Sequence, residues 1–467
     1  MVLRADSQDT IAAIATPYGE SGIGVVRISG PEAAPIAERI FRPRRGVPTL
    51  RSHQIRYGEV IDPERRETID EVLLTFMAAP RTYTRQDIVE ISCHGGFWPL
   101  KRILELVLRQ GAREAQPGEF TKRAFLSGRI DLAQAEAVLD IIQARTDKGL
   151  RLAEEQLRGG LTKQIAGLRE DLVGLLVPIE AFIDFSEEEE DEPPANAVTA
   201  GLRGVLATIE RLIAAYEEGE PYRDGVRAAI VGKANAGKSS LLNRLLERER
   251  AIVTAIPGTT TDVIEEALNL SGVLIRLMDM AGLREPRNEV EQEGVRLARE
   301  RLAEAHLIIL VMDRSRPLDE EDRAIFRAVA ARGKPIVPVL NKVDIPPALA
   351  ETELIREMGW PHLYPLSALT GVGIEEMKRG MVQAIMAGRL KQGEGELIPV
   401  NLRHKLVLER ARDVLDKLLV GRQQEKTLWD LTAIEMRRAL AILGEIVGET
   451  TPDEVLDMIF SRFCIGK

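Results

Sequence analysis

Cysteine, aromatic residues and long apolar runs are all scarce in this chain, and each scarcity excludes something. Only Cys93 and Cys464 occur in 467 residues, so there is neither a disulfide framework nor a cysteine metal-site spacing, and a reducing, cytoplasmic setting is expected. Aromatic residues make up 4%, too little for a base-stacking nucleic-acid platform. Apolar runs such as residues 307–312 fall far short of the roughly 20 residues of a membrane span, and residues 1–10 lack the basic-then-apolar order of a signal peptide. Basic charge is also in deficit: 63 Lys+Arg stand against 73 Asp+Glu, a net charge of -10. That balance argues against a stand-alone nucleic-acid binder, whose surface must displace counterions. What is present is a 45% hydrophobic fraction, enough for substantial cores, and a length that at roughly 150 residues per domain predicts about three domains.

The texture of the chain changes three times. Residues 23–29, 55–61, 72–77 and 88–92 are β-branched runs between Gly and Pro punctuation and read as strands, while residues 100–108 read as a helix, giving an N-terminal α/β domain over 1–127. From 128 to 222, Leu150, Leu157, Leu161, Ile165, Leu168, Leu172, Leu175 and Ile179 recur mostly at helical spacing. The acidic run 187–192 and Pro193-Pro194 then read as a solvated connector. Buried-strand runs at 228–231, 274–278, 307–312 and 336–340 alternate with helical segments over 223–387, the signature of a parallel sheet covered on both faces. Helical periodicity resumes over 388–467, with Leu428, Leu431, Ile434, Leu440, Leu443 and Ile446. The α/β module at 223–387 is therefore expected to interrupt a helical domain made of two separated segments. Residues 1–127 carry about 18 basic and 16 acidic side chains and residues 128–222 about 9 and 20. No contiguous basic stripe is evident, and the cluster Arg42, Arg44, Arg45 reads as a solvated loop.

The chemistry-bearing motifs lie in the module at 223–387. Gly232-Lys-Ala-Asn-Ala-Gly237-Lys238-Ser239 follows a strand and precedes a helix, the setting in which backbone N–H groups and a helix N-terminus take up phosphate oxygens. Asn235, Ala236, Gly237, Lys238, Ser239 and Ser240 are the expected contacts, with Lys238 on the β/γ-phosphates and Ser239 on Mg²⁺. Gly258-Thr259-Thr260 fits a first switch whose threonine hydroxyl completes the Mg²⁺ shell. Asp279-Met280-Ala281-Gly282 is a D-x-x-G element, in which Asp279 supports the Mg²⁺ shell and Gly282 senses the γ-phosphate. Asn341-Lys342-Val343-Asp344 is an N-K-x-D guanine reader, because the Asp344 carboxylate accepts from the guanine N1–H and exocyclic amine and so selects GTP over ATP. Ser367-Ala368-Leu369 fits the loop that supports the base. Where Ras-like GTPases place a water-orienting Gln after D-x-x-G, this chain has Leu283. Glu285, Glu289, Glu291 and Glu293 are the acidic alternatives. Asn235 offers an oxygen near the β/γ bridge, suited to a monovalent cation that neutralises developing charge.

Together with Gly22-Ile-Gly-Val-Val-Arg27-Ile-Ser-Gly30, Glu90-Ile-Ser-Cys-His94-Gly-Gly96, Pro117-Gly-Glu-Phe-Thr-Lys-Arg-Ala-Phe-Leu126, Ile130-Asp-Leu-Ala-Gln-Ala-Glu136 and the terminal Phe463-Cys464-Ile465-Gly466-Lys467, these motifs resemble the MnmE (TrmE) family of tRNA-modification GTPases over essentially the full chain. The resemblance implies a multidomain α/β plus α-helical fold: an N-terminal folate-binding and dimerisation domain, a discontinuous helical domain and an inserted Ras-like P-loop G domain. It implies that GTP hydrolysis serves to install an aminomethyl or carboxymethylaminomethyl group on C5 of the tRNA wobble uridine. The implied carbon donor is 5-formyltetrahydrofolate or a related reduced folate. The implied partner is an FAD-dependent MnmG (GidA) family protein, in a heterotetramer with a homodimer of this chain. The resemblance further places K⁺ on Asn235, Thr254, Ile256 and Thr259 and Mg²⁺ on Ser239 and Thr260. It selects Glu291 as the water-orienting carboxylate. Folate contacts fall on Arg27, Glu90, Arg129 and Lys467, with Arg129 standing where some members carry Lys. Cys464 is implied as a chemical participant or as an ordered thiol beside the folate. The competing class is a regulatory or ribosome-assembly GTPase switch, which needs neither the N-terminal motifs nor the Cys464 tail.

Overall fold

The computed structural model describes residues 9–45, 49–184, 193–249, 266–279, 302–349, 351–360, 362–387, 398–424 and 428–467. The N-terminal part runs β1 Ile11–Ile14, β2 Ser21–Ser29, α1 Ala33–Ile40, β3 Phe41–Pro43, β4 Gln54–Asp62, β5 Glu67–Met77, β6 Ile88–Gly95, α2 Phe97–Arg109, β7 Arg113–Glu114 and α3 Glu119–Leu126. Its strands form one sheet in the order β3-β4-β5-β6-β2-β1-β7, antiparallel except for the β1/β7 pair. Alternation along β2 and β6 puts Val26, Ile28, Val89 and Ile91 on one face, where they pack with Ile36 and Ile40 of α1 and Leu100, Ile103 and Val107 of α2. The alternate positions, Arg27 and Glu90 among them, point to the opposite face.

Helices follow: α4 Leu132–Gln143, α5 Asp147–Leu157, α6 Gly160–Asp184 and α7 Ala195–Arg223. The helical period read across residues 150–179 is divided between α5 and α6 at Gly159, whose φ is +85°, a conformation glycine adopts without a Cβ penalty. Next come β8 Val226–Val231, α8 Lys238–Glu249, β9 Glu266–Leu270, β10 Val273–Asp279, β11 Leu307–Asp313, α9 Glu320–Ala330, β12 Ile336–Asn341, α10 Glu351–Met358, β13 Tyr364–Pro365 and α11 Ile374–Met386. The sheet order is β13-β12-β11-β8-β10-β9. It departs from an all-parallel sheet at one edge, because β9 runs antiparallel to β10. The two are joined by Ser271 and Gly272 at φ +54° and +87°, a tight turn that leaves no room for a crossover helix. Ile230, Leu277, Ile309 and Val339 face Leu241, Leu245, Met377 and Met381 of α8 and α11 on one side. Ala229, Val231, Ile308 and Leu310 face Ile325 and Val329 of α9 on the other.

The last helices are α12 Leu402–Gln424, α13 Trp429–Val447 and α14 Asp453–Phe460. α6 and α13 run antiparallel, tied by Arg437–Glu180 at 2.7 Å and Arg169–Glu449 at 2.6 Å. The apolar series read along α13 reaches the core in the second half of the helix and not in the first. Leu428, Leu431 and Ile434 are exposed, whereas Trp429, Ala433, Met436, Ala439, Leu443 and Ile446 are buried. Leu443 and Ile446 of that series are buried with Trp429 and Met436, whereas Leu428 at the helix start and Leu431 and Ile434 in its first turns face away from the core.

The described chain divides into two compact units, residues 9–139, 157–202 and 413–467 in one and residues 140–156 and 203–412 in the other, apart from the undescribed stretches. In the first, Arg113 and Arg123 share the carboxylates of Asp9 and Glu119 at 2.6–2.9 Å, which clasps the start of α3 to the strand edge. Burial opposes ionisation of both acids, but hydrogen bonds and charge from the two arginines outweigh it and hold both below the usual carboxylate range. Groups depressed in this way stabilise the fold fully above their unfolded values of about 4, and that contribution is lost as pH falls through the folded values. Glu119→Gln is therefore expected to lower stability by about 1–3 kcal/mol at pH 7 and to flatten the acid limb. Urea midpoints measured from pH 7 down to pH 3 check this; parallel curves for the two proteins would count against the clasp.

Candidate functional site

β8 delivers the chain into the loop Gly232–Gly237, and α8 begins at Lys238. Asn235 and Gly237 hold φ of +61° and +96°, which bends the loop back on itself. At Gly237 a Cβ would stand 2.1 Å from Asn341 Nδ2, so only glycine allows the approach. Lys238 Nζ donates to Gly232 O at 2.8 Å and Lys233 O at 2.9 Å, which folds its ammonium over the loop. Ser239 and Ser240 are exposed in the first turn of α8, the end of a helix that favours anions.

The segments that follow β12 and β13 are tied to this loop through one buried side chain. Asn341, at the end of β12, donates from Nδ2 to Ala236 O at 2.8 Å and accepts at Oδ1 from Ala368 N at 3.0 Å. Ser367 Oγ accepts from Thr370 N at 3.1 Å, closing a turn that leaves Leu369 exposed. Lys342, at φ +69°, donates from Nζ to Asp313 Oδ2 at 2.7 Å. Asp344 is exposed beside it. Asp313 was not among the residues expected from the sequence. The parallel register pairs it directly with Asn341, and its Oδ1 accepts from Ser315 N and Oγ at 2.9 and 2.6 Å. The signal was there in outline, a carboxylate ending an apolar strand in the same way that Asn341 ends the next. Burial opposes its ionisation, but Lys342 and Ser315 hold Asp313 below the usual range.

A second cluster forms on the face of the N-terminal sheet away from α1 and α2. Arg27 and Glu90 are cross-strand partners in β2 and β6, and their side chains pair at 2.8 Å. Arg27 also donates to Gly466 O at 3.1 Å and lies 5.7 Å from the centre of the Phe120 ring. Phe120 N donates to Lys467 O at 3.2 Å, so the C-terminal tail is folded against α3. Gly466 sits at φ +94°, with Ile14 O 2.4 Å from where a Cβ would be. Burial, reinforced by the Arg27 charge, keeps the Lys467 ammonium below the usual lysine range, although Glu90 and Cys464 pull the other way. Arg129 stacks over Tyr83 at 4.8 Å, and the Tyr83 hydroxyl meets Thr121 at 2.9 Å. Phe120, Tyr83 and Gly466 were not read as site residues from the sequence; only the tail's path reveals them. Cys464 is exposed, whereas Cys93 is buried, with its thiol pushed up to about 11 by burial and by the Asp70 charge.

Thr254, Ile256, Thr259, Thr260, Gly282 and Glu291 lie outside the described residues, as does the side chain of Asp279. The structure thus brings together Asn235 to Ser240 with Asn341, Lys342 and Ser367 to Leu369, and separately Arg27, Glu90 and Lys467.

Two family models match the chain, the MnmE helical domain over residues 132–464 and the N-terminus of the GTP-binding protein TrmE over residues 10–129. The tRNA modification GTPase MnmE of Geobacter sulfurreducens is 47% identical over 98% of this chain and 99% of its own. The chain belongs to the MnmE family of tRNA modification GTPases. Other MnmE proteins, from Geobacter metallireducens and Moorella thermoacetica, are 45% and 46% identical over the same shares of each chain. Among solved structures, Aquifex aeolicus Era is 28% identical over 40% of this chain and 67% of its own, with a TM-score of 0.30.

In this MnmE-family chain the Asp313–Lys342 pair predicts a specific defect. Asp313→Asn is expected to weaken GTP binding by about tenfold, or roughly 1.4 kcal/mol, while kcat at saturating GTP stays within about twofold. Fluorescent-nucleotide titration and steady-state hydrolysis check this, and a fall in kcat at unchanged affinity would contradict it.

Proposed function

We propose that the chain is the GTP-hydrolysing component of the system that installs an aminomethyl or carboxymethylaminomethyl group on C5 of the tRNA wobble uridine. The observation that carries this reading is the presence, in one chain of the MnmE family, of a phosphate-type loop joined through Asn341 to the Ser367–Leu369 loop and of the Arg27–Glu90–Lys467 cluster. The residues fit the groups the reaction requires. Ser239 presents a hard hydroxyl oxygen at the mouth of the phosphate loop, suited to Mg²⁺ beside Thr260. Asn235 presents an exposed amide in a left-handed turn, which suits K⁺ together with Thr254, Ile256 and Thr259. Bound at these residues, the two cations would supply positive charge to the phosphate oxygens. Lys238 exchanges its loop carbonyls for phosphate oxygens, and Lys342 and Asp344 hold the guanine. Glu291 orients the attacking water in place of the missing Gln.

In the N-terminal cluster, Glu90 is set to accept from the amino edge of a reduced pterin, while Arg27, Arg129 and Lys467 offer positive charge to its glutamate carboxylates. The tail brings Cys464 and Lys467 to this cluster, with burial holding the Lys467 ammonium below the usual lysine range. A homodimer of this chain joined to an FAD-dependent MnmG-type partner completes the assembly in the cytoplasm, with the domains running 1–127, 128–222, 223–387 and 388–467.

Two measurements test the reading. Mass spectrometry of tRNA nucleosides from cells lacking the chain is expected to show loss of the C5-modified wobble uridines; unchanged uridines would return the chain to the class of regulatory or ribosome-assembly switches. GTP hydrolysis is expected to be about tenfold or more faster in K⁺ than in Na⁺ at matched ionic strength, and equal rates would remove the role given to Asn235.

A further inference from the structure

The net charge of -10 hides a local reversal. Between Glu38 and Glu59 the sequence holds Arg39, Arg42, Arg44, Arg45, Arg51 and Arg56 and no acidic residue. The fold gathers most of this charge at one end of the N-terminal sheet. Arg44 N donates to Tyr57 O at 3.2 Å, and Arg56 donates to Thr49 O at 2.7 Å. His53 N donates to Phe76 O at 2.7 Å, and Ala78 N donates to Ser52 Oγ at 2.9 Å. Those last two bonds set Ser52 and His53 beside the loop that follows β5, which adds Arg81, while Arg85 of that loop turns to Ser127 O at 2.7 Å.

Of the acidic groups at this end, Glu71 pairs with Arg44 at 3.1 Å and accepts from the Tyr57 hydroxyl at 2.7 Å, and Asp87 keeps its charge while accepting from Ala79 N at 2.8 Å. Arg45, Arg51 and Arg81 are exposed, and no ion pair to any of them is recorded among the described residues. Arg44 also stacks on Tyr57 at 5.6 Å, whose ring is 45% exposed. Charges on the edge strand β3 also discourage edge-to-edge pairing, but Arg51 and Arg81 lie in loops, where that purpose does not apply.

We propose that this arginine-rich sheet end is a docking surface for the phosphate backbone of RNA, so that the acidic chain holds part of its tRNA substrate itself. Arginines on adjoining loops present planar forks to phosphate oxygens, and Tyr57 offers a ring edge against which a ribose or an unpaired base rests. Recognition would follow charge and shape, not base sequence. The inference rests on the tRNA-modification reading only for the identity of the RNA.

The test uses the full chain and unmodified tRNA, with filter binding or anisotropy across a salt series. The triple variant Arg45→Glu, Arg51→Glu, Arg81→Glu is expected to bind at least about tenfold more weakly. Its plot of log affinity against log salt should be shallower by about 2 to 3, the loss of three phosphate contacts. The matching Lys triple variant, which keeps the charge, is expected to retain most binding. GTP hydrolysis should be unchanged in both, since none of the three residues belongs to the nucleotide cradle. Equal affinity and slope in the Glu variant, or no RNA binding by the natural chain at low salt, would overturn the proposal; the first result would leave an acidic protein as the fitting partner. Failure of the tRNA-modification reading is separate, because it appears as unchanged wobble nucleosides in cells lacking the chain.

Discussion

The loops gathered at the ends of β8, β12 and β13 depend on one carboxamide. Asn341 donates to the phosphate loop at Ala236 and accepts from the base-supporting loop at Ala368, so segments more than a hundred residues apart in sequence meet on a single side chain. The bond is buried, where an unpaired amide is costly, and each loop is therefore held wherever β12 places it. The close approach at Gly237 follows from this, as does the pairing of Asp313 with Lys342, since Asp313 is the residue beside Asn341 in the parallel register. The meeting of these loops is thus a consequence of strand register as well as of loop composition.

The N-terminal unit uses register in another way. Arg27 and Glu90 meet because β2 and β6 pair antiparallel with these two residues opposite each other, on the face that α1 and α2 leave uncovered. A lone ion pair on an open face contributes little. Here the C-terminal tail adds Gly466 O as a further acceptor and brings Lys467 into the same partly buried space. Two cations, Arg27 and Lys467, and one carboxylate, Glu90, then share that space, and burial together with the Arg27 charge holds the Lys467 ammonium below the usual lysine range.

Charge in the chain as a whole is segregated, which the net value conceals. Acidic residues concentrate in 128–222, whereas the end of the N-terminal sheet is arginine-rich. A repulsive average and an attractive patch are compatible, because at physiological salt the field of an exposed charge is screened within about 8 Å. An acidic protein of this size can therefore serve a polyanionic substrate at one location.

The nucleotide motifs were legible from residue order because phosphate and guanine recognition are local, demanding particular residue types in one short loop after one strand. The strand runs at 228–231, 274–278, 307–312 and 336–340 were legible for a similar reason, as strands buried on both faces leave continuous apolar segments. Several features were not legible. The antiparallel β9 edge depends on a two-residue turn, and the exposure of Leu431 and Ile434 on α13 depends on what packs opposite. Asp313, Phe120 and Gly466 acquire their places only when distant strands and the C-terminal tail come together. The sequence by itself determined the chemistry available: which groups can hold phosphate, guanine or an anion, and that cysteine chemistry is confined to two thiols. Only the tertiary structure decided which of those groups stand within hydrogen-bonding distance of one another, because such contacts are set by register and packing between segments that sequence spacing does not relate.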